Sequence, residues 1–467
     1  MYKLELKKKI IIFSFCLSII FTSLIFIKFD KTSYSKSNIP YNELIKGDSD
    51  YYFFKAEIFK KNIESDNAID VAGEYTASVL YPVLLGFYYN SLNENIFQTP
   101  PKLTISGELV NDNRVVSLTN IKLFFLFIQT TIYYLSVFFL ISRLKNILHN
   151  NILNFLALFL VFEPTIFQFN SLFMTESLYL AFINFLVGIL IQPQIKFYNN
   201  FFLGIFLGIL YLLKTTSIFL ILPISLYYFF VYKKKSYLVV LNILAGYILV
   251  LILLGYSNYQ RSGIFYWQPT QSMDQPYNYM AHIIDARSKN ISEKEAYKIK
   301  IENEIKWINK NQIDLSFETN RIKLAKYKYN YAKEIILDNP IIVTKYIIWK
   351  SFQFLIIDPA HIYKYLKINF TDKDYWKIPE NNVLLIIDII YSLIFYIIIL
   401  LGFLSSFKYL EKKIIFLILG LMFYHFLLLG WTGGSRYNLP LVCLSSIYFS
   451  LGLNVILKNI LPKYSIN

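Results

Sequence analysis

Asp48 and Asp50 open a polar stretch a short way after the first long apolar run. A carboxylate held in a partly dry site at a membrane surface can take a proton from an acceptor hydroxyl. The same aspartate also suits the N-cap of the helix that should follow it, and Asp50 is then its solvated neighbour. Glu176, in Met174-Thr175-Glu176-Ser177, heads another apolar run. There it either answers the helix dipole or supplies a second carboxylate. Paired acids can divide the roles of base and orienting group, or share a divalent cation. Among the cations, Lys214 sits in Leu212-Leu213-Lys214-Thr215-Thr216, where it either snorkels to the interface or meets a phosphate. Arg436, in Gly433-Gly434-Ser435-Arg436-Tyr437-Asn438-Leu439-Pro440, carries a planar fork that matches phosphate oxygens, next to glycines that allow close backbone approach. Arg261 follows Asn258-Tyr259-Gln260 in a comparable setting. Tyr52, Tyr81 and Tyr437 accompany these charges and, with Asp50, are read as lining the substrate cavity. Glu163, just before Pro164, is an acid deep in an apolar run, where such groups are costly and are usually functional or paired. His425 is read as a hydrogen-bonded bundle residue. There is no glycine-rich phosphate loop, His-Glu-x-x-His or Cys-x-x-Cys, which argues against nucleotide-driven chemistry.

The elements that must carry these groups are membrane helices. Of the 467 residues 55% are hydrophobic and only 16% charged, with 42 Phe and 39 Tyr. That balance excludes a disordered chain, a coiled coil and a disulfide-rich module, and it leaves too little charge to cover a soluble fold. The net charge of +15 is the excess expected on cytoplasmic loops and near anionic head groups, so no nucleic-acid partner is inferred. Cys16 and Cys443 both lie in apolar runs and build neither a disulfide framework nor a zinc site.

A spanning helix needs about 20 mostly apolar residues. Such runs cover 10–27, 121–141, 151–192 broken at Glu163-Pro164 and Thr175-Glu176, 201–232 broken at Lys214-Thr215-Thr216, 237–256, 383–407, 414–431 and 439–457. Each broken run counts as two helices, giving an all-α polytopic membrane protein of about ten transmembrane helices. Loops at 143–150, 193–200, 233–236 and 408–413 carry Lys, Arg or His and almost no acid, which sets them in the cytoplasm. The segments 28–120 and 257–382 then lie outside, together with the turns that bear Glu176, Lys214, Arg261 and Arg436. The organisation expected is a seven-span bundle over 1–256 with a catalytic first outer loop at 28–120, an outer helical region over 257–382, and a three-span bundle over 383–467. The first outer loop should hold interfacial helices. Residues 335–357 read as a further interfacial helix because Lys345, Lys350 and Asp338-Asn339-Pro340 interrupt them; a crossing there would raise the count to eleven.

Several stretches now stand in order: Gly47-Asp48-Ser49-x-x-Tyr52-x-x-x-Ala56; Ser78 to Leu85 with Tyr81-Pro82; Pro164 to Ser177 ending Thr175-Glu176-Ser177; Leu212-Leu213-Lys214; Asn258-Tyr259-Gln260-Arg261-x-Gly263; Asn339-Pro340; and Arg436-Tyr437-Asn438-Leu439-Pro440. In this order they resemble the GT-C glycosyltransferases, in particular the bacterial branch related to protein mannosyltransferases and to aminoarabinose transferases of lipid A. Three departures are visible. The first loop reads Asp48-Ser49 where the mannosyltransferase branch often has Asp-Glu, the turn at Lys214 often carries Arg in the family, and the large outer region, 257–382, is short and has no recognisable carrier domain.

The resemblance implies a polyprenyl-phosphate sugar donor, a lipid, glycan or protein acceptor, and a multi-pass enzyme of the cytoplasmic membrane with its active site on the outer, periplasmic face. It makes Asp48 the general base and Glu176 its orienting partner, with Arg436, Lys214 and Arg261 on the donor phosphate. No cofactor is implied beyond the divalent cation some members use. Rival readings are a polysaccharide polymerase or ligase outside this superfamily, which would lean on outer arginines, and a transporter of lipid-linked sugars, which would need polar residues near mid-bilayer on several spans.

Overall fold

The computed structural model describes residues 48–64, 78–92, 120–170, 174–192, 197–233, 236–315, 317–357, 382–432 and 438–460. Within them every regular element is helical. The expected first span at 10–27, Arg436 and Tyr437 lie outside the described residues, as do the side chains of Asp48 and Asp50.

Two helices precede the bundle: α1 (Asp48–Glu64) and α2 (Leu80–Ser91). The bundle continues through α3 (Asn120–Leu144), α4 (Asn150–Phe162), α5 (Pro164–Asn170), α6 (Thr175–Ile191), α7 (Phe197–Leu213), a single 3₁₀ turn (Thr215–Ser217), α8 (Ile221–Tyr232) and α9 (Ser236–Ser262). A helical region follows: α10 (Thr270–Pro276), a π-turn (Tyr277–Ala281), α11 (His282–Lys289), α12 (Glu293–Lys310), α13 (Glu318–Asp338) and α14 (Pro340–Ile357). Then come α15 (Asn382–Tyr409), α16 (Lys412–Thr432) and α17 (Leu439–Ile460).

Among the described residues six helical stretches are long and apolar enough to cross a membrane: Phe124–Leu144, Thr215–Tyr232, Ser236–Ser262, Ile390–Tyr409, Lys412–Trp431 and Leu439–Ile460. Asn150–Phe162, Thr175–Ile191 and Tyr198–Leu213 are apolar but shorter.

The breaks have local causes. Pro164 has no N–H and pushes the residue before it out of the helical region, so α4 stops and Glu163 takes φ −58°, ψ 123°. Its carboxylate then accepts the Ile166 N–H at 2.7 Å and the Thr165 hydroxyl at 3.0 Å. The buried acid is thus the N-cap of α5, with proline at the first helical position. At the other break Lys214 is extended (φ −148°, ψ 111°), and its carbonyl accepts from Ser217 N at 2.9 Å to start the 3₁₀ turn.

Close backbone approach holds the spans together. A Cβ on Gly204 of α7 would lie 2.0 Å from the Ile243 carbonyl oxygen of α9, and one on Gly246 would lie 2.1 Å from that of Phe201. Small residues at such a crossing let two helices meet without a hydrophobic driving force, which lipid does not provide. Neutral polar contacts add to this: Asn184 Nδ2 donates to Ser136 Oγ and Cys443 Sγ donates to Asn184 Oδ1, both at 3.2 Å.

The basic loops gather at one end of the bundle, where Arg143 donates to Gln192 at 3.0 Å and the His149 and Tyr409 rings stand 6.3 Å apart. The opposite end carries Glu176 and Lys214. There the region from α10 to α14 is tied on: the Tyr211 hydroxyl donates to the Trp267 carbonyl at 2.8 Å, and Ser272 Oγ donates to Thr215 Oγ1 at 3.2 Å. Helix α14 packs along α16: Trp431 packs against the cluster that holds Val343 and Tyr346, Ser351 meets the Gly430 N–H at 3.1 Å, and the Phe352 ring meets Phe426 at 5.1 Å. Each step forward along α14 meets a step back along α16, so the two run antiparallel.

Candidate functional site

The site begins with helix α6. Its first turn places Glu176 where the dipole favours an acid, and Thr175 Oγ1 donates to Glu176 Oε2 at 3.2 Å. The end of α7 brings Lys214 to it from 38 residues away: Lys214 Nζ lies 3.0 Å from Glu176 Oε1. The side chains are 8% and 2% exposed, so this is a buried ion pair. Moving two charges out of water is expensive, and their attraction repays it only with good geometry and further hydrogen bonds. Lys214 Nζ also stands 5.3 Å from the ring centroid of Tyr179, one turn further along α6.

A layer of tyrosines adjoins the pair. The Tyr81 hydroxyl donates to Gln129 Oε1 of α3 at 2.8 Å. Burial, the neighbouring Tyr89 and Tyr52, and the Glu176 charge all push its pKa up, so it stays a neutral donor. The Tyr52 ring meets Tyr81 edge-on at 5.1 Å. Tyr52 lies one turn after Asp48, so α1 begins beside this layer. Two further contacts fix the placement. Val79 N donates to the Leu212 carbonyl at 3.1 Å. Gly86 lets α2 press on α1, since a Cβ there would come within 2.9 Å of the Ala56 carbonyl oxygen.

Arg261 belongs to a different group. Its Nη2 donates to Glu318 Oε1 at 2.8 Å and to Asn258 Oδ1 at 3.3 Å, its Nε donates to the same carboxylate at 3.1 Å, and Tyr266 closes the ring of contacts. This fork ties the end of α9 to the start of α13. The structure thus brings Glu176 and Lys214 together, sets Tyr52 and Tyr81 beside them, and places Arg261 in a separate ion pair. Among the described residues no group of three or more His, Cys, Asp or Glu is arranged to hold a metal ion.

Tyr179 and Tyr424, not singled out by type and spacing, complete the cluster with His425. Tyr179 meets His425 of α16 edge-on at 6.0 Å, and the Tyr424 hydroxyl donates to the Thr216 carbonyl. His425 is buried in the bundle, and its Nε2 has no hydrogen-bond partner among the described residues. The one signal for Tyr179 was its position three residues after Glu176, on the same helical face.

No protein-family model matches the chain, and no curated protein matches it in sequence. Solved structures with a similar fold include the archaeal oligosaccharyltransferase AglB from Archaeoglobus fulgidus, in complex with an inhibitory peptide and a dolichol-phosphate. It superposes with a TM-score of 0.47 and 10% identity over 96% of this chain and 50% of that one. The apo form of the Archaeoglobus fulgidus oligosaccharyltransferase superposes with a TM-score of 0.46 and 13% identity over 96% and 51%. The chain spans about half the length of these proteins.

Proposed function

We propose that the protein is an integral membrane glycosyltransferase of the GT-C kind, moving a sugar from a polyprenyl-phosphate donor to an acceptor hydroxyl at the outer face of the cytoplasmic membrane. The observation that carries this reading is the buried Glu176–Lys214 pair, assembled from two separate helix ends beside the start of α1. A lipid-linked donor suits that arrangement: its chain stays in the bilayer while its head group reaches the loop-bearing end of the bundle.

In this scheme Asp48 takes the acceptor's proton as the acceptor oxygen bonds to the sugar's anomeric carbon. The bond from that carbon to the phosphate oxygen breaks, and the lipid phosphate leaves with the electron pair. Configuration inverts in one displacement, with no covalent intermediate. Lys214 and Arg436 face the charge that develops on the departing phosphate, an electrostatic effect strongest in a dry, preorganised site. Glu176 holds Lys214 in place before the donor arrives, and it orients the acceptor or a divalent cation once Lys214 turns to phosphate.

The test uses membranes containing the full chain, supplied in parallel with polyprenyl-phosphate mannose, glucose, galactose and aminoarabinose. Release of free polyprenyl phosphate with one donor is expected from wild type and not from Asp48→Asn, at equal protein in the membrane. Wild-type turnover in Asp48→Asn would remove Asp48 from the mechanism. Sugar lipid crossing into vesicles without transfer would favour a transporter.

A further inference from the structure

Next to the Lys214–Glu176 pair stand three buried polar atoms with no hydrogen-bond partner among the described residues: Tyr179 Oη, Ser217 Oγ and His425 Nε2. Tyr179, Ser217 and His425 are each at most 2% exposed. They belong to one neighbourhood. Lys214 lies over the Tyr179 ring at 5.3 Å, Tyr179 meets His425 at 6.0 Å, and Ser217 is in the turn that Lys214 starts. The Tyr179 and Ser217 hydroxyls face one another, yet neither completes a hydrogen bond. Orphaned polar atoms are rare in folded interiors, because each carries a desolvation cost that nothing recovers. Three around one ion pair are a local conflict, and such conflicts gather at functional sites.

The chemistry of the three atoms is uniform. Tyrosine and serine hydroxyls donate, and His425 donates in its Nε2–H tautomer. With the Lys214 ammonium they make a set of donors from α6, α16 and the turn between α7 and α8, which suits a phosphate.

We infer that Tyr179, Ser217 and His425 form a reserve phosphate subsite that is sealed in the resting structure and satisfied by the donor's phosphate. This rests on the reading of this end of the bundle as the donor site. Phosphate reaches the three atoms when the Lys214–Ser217 turn parts from α6, so that Lys214 exchanges the Glu176 carboxylate for a phosphate oxygen. The arrangement predicts an unusual pair of effects. Deleting one hydroxyl removes an unsatisfied group from the resting fold, so stability holds or rises. The same deletion removes a donor from the loaded state, so affinity falls.

The experiment measures the purified full chain in detergent, as wild type, Tyr179→Phe, Ser217→Ala, His425→Leu and His425→Gln. Each is scored for melting temperature without ligand and for affinity toward polyprenyl phosphate, with polyprenol and inorganic phosphate in parallel. Expected are unchanged or higher melting temperatures for Tyr179→Phe and Ser217→Ala, and about tenfold weaker polyprenyl phosphate binding, the scale of one charge-assisted hydrogen bond. His425→Gln should bind more tightly than His425→Leu, because its amide restores a donor. A response to inorganic phosphate as strong as to the lipid would keep the subsite and assign it to free phosphate. Lower melting temperature in both hydroxyl deletions, unchanged affinity, or equal response to polyprenol would each overturn the inference. It fails separately from the glycosyltransferase reading: transfer that depends on Asp48 with unaltered binding in these variants sinks only the subsite, whereas phosphate binding without transfer sinks only the enzyme.

Discussion

Two buried lysines, Lys214 in the bundle and Lys300 in the region between α9 and α15, are accommodated in opposite ways. Lys214 has a carboxylate at 3.0 Å and one aromatic face. Lys300 has two aromatic faces, Tyr277 and Tyr297 at 4.5 Å each, and donates to the Tyr277 carbonyl at 3.2 Å. The acid nearest it, Glu304, is already engaged by Lys328 at 3.0 Å and by the Tyr277 hydroxyl at 2.9 Å. Burial therefore pushes Lys300 down to about 8, with Lys328 adding to the effect and Glu304 opposing it. Around Lys300 the Tyr277 hydroxyl, Glu304 and Lys328 are partnered, and His282 Nδ1 is left over on a ring that is only part-buried. Around Lys214 three sealed atoms are left over. Lys300 is thus surrounded by contacts completed within the fold, and Lys214 by uncompleted ones.

The sharpest way to break this comparison is to remove the acid from the bundle pair. Glu176→Gln leaves Lys214 charged, buried and unmatched, a change that costs about 3–5 kcal/mol. The melting temperature in detergent should drop markedly, and sugar transfer should be lost. The double variant Glu176→Gln/Lys214→Met takes both charges away, so most of the stability should return while transfer stays absent. Recovery of transfer in the double variant would reduce the pair to a packing feature and make the two lysines alike.

Arg261 probes the boundary between the regions, with a smaller effect. Its fork on Glu318 is partly exposed, with side chains 12% and 20% accessible, so water screens it and Arg261→Ala should cost about 1–2 kcal/mol. The expected signature is faster proteolysis between α9 and α13, with polyprenyl phosphate affinity unchanged. Weaker affinity at normal protease resistance would return Arg261 to the phosphate site.

The breaks in the apolar runs could be read in advance because they have local causes. Pro164 must stop a helix, and a lysine followed by two threonines interrupts an otherwise unbroken run at Lys214. The candidate pair was legible as two separate residues, but their contact was not. Apolar periodicity shows which face of a helix is buried but not which span lies beside it, and Glu176 and Lys214 are 38 residues apart. The same limit hid the Arg261–Glu318 fork, 57 residues apart. Glu163 was ambiguous for another reason: its carboxylate folds back onto its own chain at Thr165 and Ile166, and capping leaves the same trace in sequence as a functional acid. In residues 340–357 the two lysines were visible but the packing face was not: Lys345 is exposed and Lys350 only partly buried, while Val343, Tyr346 and Ser351 are buried. The orphaned donors were the least visible, since a tyrosine inside an apolar run reads as packing whether or not its hydroxyl is satisfied.

The gentlest test concerns Lys300 and uses proton linkage. Its folded pKa of about 8 lies below the unfolded value near 10.4, so between those pH values the unfolded state binds more protons. Stability should therefore rise with pH across that window, by at most about 1.4 kcal/mol per pH unit. Below pH 8 both states hold the proton and the contribution is flat. Lys300→Met keeps the stem between Tyr277 and Tyr297 but removes the titrating amine. Its melting temperature should gain most over wild type near neutral pH, and the gain should shrink as pH approaches 10. A wild-type profile that falls through this range, with Lys300→Met flat, would mean that the ring faces and the Tyr277 carbonyl hold the ammonium better than water does. The contrast with Lys214 would then lie in partner type alone, because both lysines would be settled as cations.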